Sequence, residues 1–156
     1  MDVTIPAVLK SLASTGEAIR ELSAWKRRAR GNVRSLIEEL RDNMIYLDMV
    51  AVDNVELKDV IGKISVSEYR RLSREGFDFN ALKRARLTGH PSLAGTELAS
   101  WAGKETAELV EAIYEKLNDL AIRFPHVGTN EKYRWSVRVN NIRKRIWLLL
   151  EHLRSA

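Results

Sequence analysis

Residues 17–53 read EAIRELSAWKRRARGNVRSLIEELRDNMIYLDMVAVD, and this stretch decides the fold. Apolar side chains recur in it at steps of three and four, which is typical of a helix that packs lengthwise on another helix. Lys26 and Asn43 interrupt this apolar seam, and a polar residue in such a seam fixes register at a cost in stability. The seam consists of Ile19, Leu22, Ala29, Val33, Leu36, Leu40, Leu47 and Val50.

The stretch is long for a single helix, and Gly31 followed by Asn32 offers a place for it to break. A single rod over residues 4–52 would have nearly fifty residues, which is unusual in a domain of this size. We therefore expect two helices, one over residues 4–30 and one over residues 32–52. Alternating β-branched residues and hairpin turn sequences are absent, so strands are not expected.

The middle of the chain favours short helices. Asp53 with Glu56, and Ser65 with Glu68, have the spacing of capping pairs and predict helices through Ile64 and Arg74. Gly76 is expected to close the second of these. A further short helical piece is predicted over residues 80–87.

The last third of the chain favours long helices over residues 96–124 and 130–154. Gly103 offers a division near the start of the first, and Pro125 with Gly128 predicts the turn between the two. The predicted architecture is all-α, a helical bundle with long amphipathic helices and short intervening helices, in a single domain over residues 1–156.

Composition narrows the functional classes. The chain has 156 residues and no cysteine, which excludes disulfides, thiol catalysis and cysteine-ligated metal centres. The longest aliphatic or aromatic run, residues 146–150, is far too short to span a membrane. No segment resembles a signal peptide, so we expect a soluble, cytoplasmic protein that does not bind membranes.

Charge is arranged in blocks on a chain of formal net charge +5. Residues 17–34 carry six basic and two acidic groups, and residues 120–156 carry eight and two. The intervening blocks, residues 35–62 and 97–119, are acidic. Such blocks either pair inside the bundle or expose basic faces to an anionic partner.

Two groups combine basic residues with aromatic ones, which suits single-stranded nucleic acid because guanidinium groups bind phosphates and exposed rings stack on bases. Trp25 precedes the first group, which consists of Lys26, Arg27, Arg28, Arg30 and Arg34. Tyr133 and Trp135 accompany the second, which consists of Arg134, Arg138, Arg143, Lys144 and Arg145. Arginines spaced by sevens also form a stripe on the long stretch, namely Arg20, Arg27, Arg34 and Arg41.

Metal, cofactor and catalytic sites are not predicted. The three histidines, His90, His126 and His152, do not have the spacing of metal ligands. Four carboxylates do share one helix face, but the Glu-x-x-His pairs of carboxylate metal sites in bundles are missing, so we interpret the face as solvated or paired with arginines. They are Glu108, Glu111, Glu115 and Asp119.

Arg145 and His152 are the pairing most typical of an enzyme. They are separated by six residues on the last predicted helix, which places both on one face. The arrangement resembles the motif of the all-helical HEPN ribonuclease superfamily, an arginine and a histidine late in a helical domain. The resemblance implies that the two residues would act on the scissile phosphate and the ribose hydroxyl across a dimer interface. Ile146 departs from the family's pattern, which often has a polar residue just after the arginine.

The sequence favours a non-catalytic helical binding module. In this hypothesis the arginine-rich helix faces engage an anionic partner, nucleic acid or an acidic protein, within a larger complex. One alternative is an assembly module whose apolar seam pairs with another copy or with a helix of a partner protein. The other is the HEPN-like ribonuclease.

Overall fold

A computed structural model describes residues 17–89 and 93–154. Residues 4–16 of the predicted helix over residues 4–30, and His90, therefore lie outside the described residues. Strands are absent from these two ranges, and the all-α prediction is confirmed. No helix within them combines the length and the apolar character that a bilayer span requires. The α-helices are α1 (Glu17–Arg28), α2 (Gly31–Ala51), α3 (Leu57–Val60), α4 (Ser67–Arg74), α5 (Thr106–Val127) and α6 (Trp135–Arg154). Short 3-10 turns occur at Ile61–Lys63, Phe79–Leu82, Glu97–Trp101 and Glu131–Tyr133.

The long N-terminal stretch forms two helices, as predicted. Arg30 has extended backbone geometry, and Gly31 has a φ of +55°, a conformation that favours glycine. This break lets α1 fold back on α2, and Lys26 near the end of α1 reaches Glu38 of α2 at 3.5 Å. The seam faces inward, since Leu22, Leu36, Leu40 and Leu47 are fully buried and the remaining members are buried or half-buried.

The core lies where α2, α5 and α6 meet. Leu40, Ile113 and Ile146 each have no exposed surface, and they represent the apolar faces of these three helices. Leu72 of α4 and Phe79 join the same cluster of buried residues. α1 lies against the end of α6, where Glu21 pairs with Arg154 at 3.4 Å.

The short central helices form near their predicted positions, but their caps differ from the prediction. The first begins at Leu57, and neither Asp53 nor Glu56 caps it with a side chain. The amide of Asp53 instead bonds to the carbonyl of Asp48 at the end of α2. α4 begins at Ser67, and a carboxylate from α2 binds its first turn, as described below.

Gly76 closes α4 as predicted. Its φ is +75°, and the Phe77 amide donates to the Leu72 carbonyl at 2.9 Å, which is the bond pattern of a Schellman motif. The predicted helix over residues 80–87 is wrong, because the 3-10 turn ends at Leu82. Leu87 instead exchanges backbone hydrogen bonds with Gly103 and Lys104, so this segment is held by the loop before α5.

The last third is divided as expected but with shifted bounds. Gly103 has a φ of +86° and separates the 3-10 turn Glu97–Trp101 from α5. α5 does not end at Phe124; it continues through Pro125 to Val127. Pro125 lies in the final turn, so it interrupts the helical hydrogen bonds only where the helix is about to end.

Candidate anion-binding surface

Four exposed arginines surround the break between α1 and α2. Arg27 and Arg28 end α1, Arg30 lies in the break, and Arg34 is in the first turn of α2. We call these four residues the basic corner. Within residues 17–89 and 93–154 no salt bridge to any of them is recorded.

The start of α2 lies at the basic corner. Arg30 precedes the helix without capping it by a side chain, and the first turn contains no acidic residue. An α-helix leaves its first amide donors without partners inside the helix, and its dipole makes that end positive. The 21 residues of α2 therefore add to the positive potential of the corner.

One further residue of the first basic group and one further residue of the arginine stripe have carboxylate partners. Lys26 pairs with Glu38, and Arg41 bonds to the neighbouring Asp42 at 3.1 Å. Arg20 is exposed on α1 and has its own contacts. Because the break divides the stripe between two helices, the four arginines spaced by sevens do not form one continuous face.

Arg143 and Arg145 of the second basic group are held inside the chain. Arg143 donates to Asp48 of α2 at 2.8 Å, and the two side chains are only 11% and 9% exposed. Burial raises the pKa of Asp48, although Arg143 opposes the change. Arg145 donates to the Asn141 carbonyl and lies 3.6 Å from Glu97, and burial lowers its pKa. These two residues are therefore not part of an exposed basic surface.

The aromatic residues of the second group stack on each other. The Tyr133 and Trp135 rings lie 5.1 Å apart and nearly parallel, and Phe124 packs edge-on against Trp135. Arg138 lies over both rings of the pair and also contacts Asp119 at 3.4 Å. Trp135 is thus covered by its own neighbours and does not offer a free ring.

Arg134 and Lys144 are the members of the second group without a recorded carboxylate partner in the part of the chain that the structure describes. Arg134 is exposed, with a φ of +48° immediately before α6. Lys144 is half-buried on α6. The ten predicted residues therefore fall into three sets. Four form the basic corner, and Arg134 and Lys144 also have no recorded carboxylate partner. The other four are paired with carboxylates of this chain.

Two of the four carboxylates that share a face of α5 make contacts with residues close to them in sequence. Glu108 and Glu105 form a capping box at the helix start, and Asp119 pairs with Arg123 at 2.6 Å. Glu111 and Glu115 are exposed. No group of metal-ligating side chains occurs among the described residues. His126 is exposed near the end of α5.

His152 does not have the environment of a catalytic base open to RNA. It is 5% exposed, and its Nε2 lies 2.8 Å from the Thr106 hydroxyl. Burial, and secondarily Lys83, lower its pKa, while a bond to the Ala85 backbone acts in the opposite direction. Since Arg145 is also paired within the chain, the HEPN-like ribonuclease alternative has no exposed Arg–His pair to support it.

Glu39 is a central polar residue that the sequence analysis missed. Its carboxylate accepts bonds from the Glu68 and Tyr69 amides at 2.8 and 3.1 Å, and from the hydroxyls of Ser65 and Ser67. Burial and this carboxylate raise the pKa of the nearby Tyr114 phenol. The spacing contained a signal, because Glu39 lies three residues after Leu36 and four before Asn43 and therefore on the buried face.

Asn43 completes this connection between α2 and the segment before α4. Its side chain donates to the Ser65 carbonyl at 2.7 Å and accepts from the Ser65 amide at 2.9 Å. The polar interruption of the seam therefore fixes the position of α4, not the register of another long helix.

Comparison of the chain with protein-family models, curated proteins and solved structures finds no significant match.

Proposed function

We propose that this protein is a non-catalytic binding module that holds nucleic acid by its phosphate backbone at the basic corner. The observation that carries the proposal is the exposure of Arg27, Arg28, Arg30 and Arg34 without a recorded carboxylate partner among the described residues. Most other arginines and lysines considered above have carboxylate or backbone partners within the chain.

The chemistry of the corner fits phosphate. A guanidinium group presents a planar fork of donors that matches two phosphate oxygens, and four such groups occur within eight residues of sequence. The start of α2 adds the positive end of a helix dipole beside them. Because binding of this kind releases counterions, its affinity falls steeply with salt.

The assembly alternative has less support. The apolar seam that would pair with another copy packs against this chain's own core. The large apolar side chains that are exposed in the described ranges, Val52, Ile122 and Val137, lie on different elements. An acidic protein would use the same corner as nucleic acid, and polyglutamate represents such a partner in the test.

The test compares two charge-matched double variants. Arg27→Glu with Arg30→Glu changes the corner, and Lys58→Glu with Lys132→Glu changes two exposed lysines elsewhere. Each substitution removes two charges, so both variants go from a formal net charge of +5 to +1. α2 is about 30 Å long, and Lys58 lies beyond its far end. Lys132 precedes α6, whose other end contacts α1 through Arg154 and Glu21.

We expect the wild type and the lysine variant to bind a fluorescent single-stranded oligonucleotide similarly at about 50 mM salt. The corner variant should bind at least about tenfold more weakly, and its log–log salt slope should be shallower by about 1.4, since each lost contact to a single strand contributes about 0.7. Fluorescence anisotropy measures both quantities. Absence of wild-type binding, equal losses in the two variants, or tighter binding to polyglutamate would overturn the proposal.

A further inference from the structure

A cleft of about 290 Å³ lies beside the basic corner, between α1 and the end of α6. Its apolar lining comes from Trp25 of α1, Leu150 and Leu153 of α6, and Leu82 of the 3-10 turn. Trp25 packs against the core but is only partly buried, and it is one of the residues that line the cleft. The volume is just below the usual range for small-molecule pockets, so the cleft can take only a small group.

The charged lining residues of the cleft differ in their pairing. Arg154 is neutralised by Glu21 at 3.4 Å and by Glu151 of its own helix. Arg28 also lines the cleft, is exposed, and has no recorded carboxylate partner within residues 17–89 and 93–154. The cleft therefore combines an aromatic ring, aliphatic side chains and one guanidinium group that belongs to the basic corner.

We propose that this cleft takes one unpaired nucleobase, which stacks on the Trp25 ring while its phosphate binds Arg28. This inference rests on the proposed function and deepens it, because it makes the ligand of the basic corner a single-stranded nucleic acid. A base inside a duplex is stacked on its neighbours and cannot enter such a cleft, whereas a single strand can turn a base outward. Glu21 and Arg154, which pair with each other, also line the cleft.

The residues of the cleft adjoin the basic corner in sequence. Trp25 lies one helical turn before Arg28, and Arg27 and Arg30 follow on the chain. We expect a strand that places one phosphate on Arg28 to extend toward the other three arginines of the corner. Stacking on the ring then adds affinity that does not depend on salt, beside the electrostatic part that does.

The first experiment uses the wild-type protein and three probes, of which the two single-stranded ones have the same charge density. They are a single-stranded oligonucleotide, the same backbone with abasic sites, and a duplex of the same length. We expect the normal strand to bind about tenfold tighter than the abasic strand, since an aromatic stack contributes about this much per base. Duplex binding should be unaffected by Trp25→Leu at the same salt, because a paired base cannot enter the cleft.

The second experiment assigns the preference to Trp25. Trp25→Leu should reduce binding of the normal strand to the level of the abasic strand and leave abasic binding unchanged, while Trp25→Phe should keep most of the preference. Trp101→Leu is the matched control, because Trp101 is also half-buried and lines a different cleft. Loss of abasic binding in Trp25→Leu would indicate a structural effect and contradict the proposal.

The outcomes separate the two proposals. If normal and abasic strands bind equally and both depend on the corner arginines, the cleft proposal is overturned and the proposed function remains. If no strand binds, both are overturned. The comparison of normal and abasic strands needs only the wild-type protein, so it decides the cleft proposal even if a Trp25 variant does not fold.

Discussion

Asp48 and Arg143 form the least exposed ion pair within the described ranges, with side chains 9% and 11% exposed. Asn140 accepts a further bond from Arg143, while one oxygen of Asp48 and one terminal nitrogen of Arg143 are buried without a recorded partner. Buried charges lose their hydration, so each member of the pair depends on the other for stabilisation. The pair connects α2 with α6 across 95 residues of sequence.

Removing the arginine should therefore be costly. Arg143→Ala leaves the Asp48 carboxylate buried without its counterion, and we expect a loss of about 3–5 kcal/mol in the free energy of unfolding. Arg123→Ala is the matched control, because Arg123 pairs with Asp119 at 2.6 Å but with side chains 49% and 41% exposed. It should cost less than about 1 kcal/mol. Urea unfolding measures both, and similar losses would contradict the assigned role of burial.

At the scale of elements, α4 is positioned by a carboxylate that belongs to α2. Glu39 takes the place of the N-cap side chain, since it binds the Glu68 and Tyr69 amides from outside the helix. The helix has only eight residues, so its own hydrogen bonds give it little independent stability. The aromatic contacts of Tyr69 with Phe79 and Tyr114 then depend on this anchor.

Glu39→Ala should loosen α4. It leaves two amide donors without their acceptor, and we expect a loss of about 2–3 kcal/mol in the free energy of unfolding. Glu38→Ala, at the neighbouring position with a half-exposed side chain and one ion pair, should cost less than about 1 kcal/mol. Hydrogen exchange should show the Glu68 and Tyr69 amides less protected in the first variant only. Unchanged protection would be evidence against the long-range cap.

At the scale of the whole molecule, His152 connects three parts of the chain. Its ring contacts Thr106 at the start of α5, and its carbonyl accepts from Lys83 at 2.6 Å. Thr106 in turn donates to the Lys83 carbonyl. α5, α6 and the non-helical segment after Leu82 therefore meet at one buried imidazole.

Stability should depend on pH through this residue. The pKa of His152 is lowered from its ordinary value of 6.5, mainly by burial, so the folded state favours the neutral ring. As the pH falls below about 6.5 the unfolded chain takes up the proton first, and the free energy of unfolding decreases. Unfolding at pH 7.5, 6.5 and 5.5 measures this decrease. His152→Gln should flatten it, and equal slopes in wild type and His152→Gln would refute the assignment.

Local patterns predicted much of the fold for identifiable reasons. The spacing of apolar residues in residues 17–53 predicted a buried helical seam, because side chains three and four residues apart lie on the same face of a helix. Gly31, Gly76 and Gly103 gave breaks because their positive φ values suit glycine. The helix over residues 80–87 failed because its segment is held by hydrogen bonds from Gly103 and Lys104, which local sequence does not reveal.

By itself, the sequence determined the helical class, the seam and the presence of two basic groups. Only the tertiary structure decided which basic side chains are free, because this depends on neighbours far away in the chain. Arg34 and Arg143 both lie on amphipathic helices, yet Arg34 reaches solvent at a helix start while Arg143 meets Asp48 inside the bundle. Charge is a property of the residue, but the dielectric and the partners that determine its use come from packing.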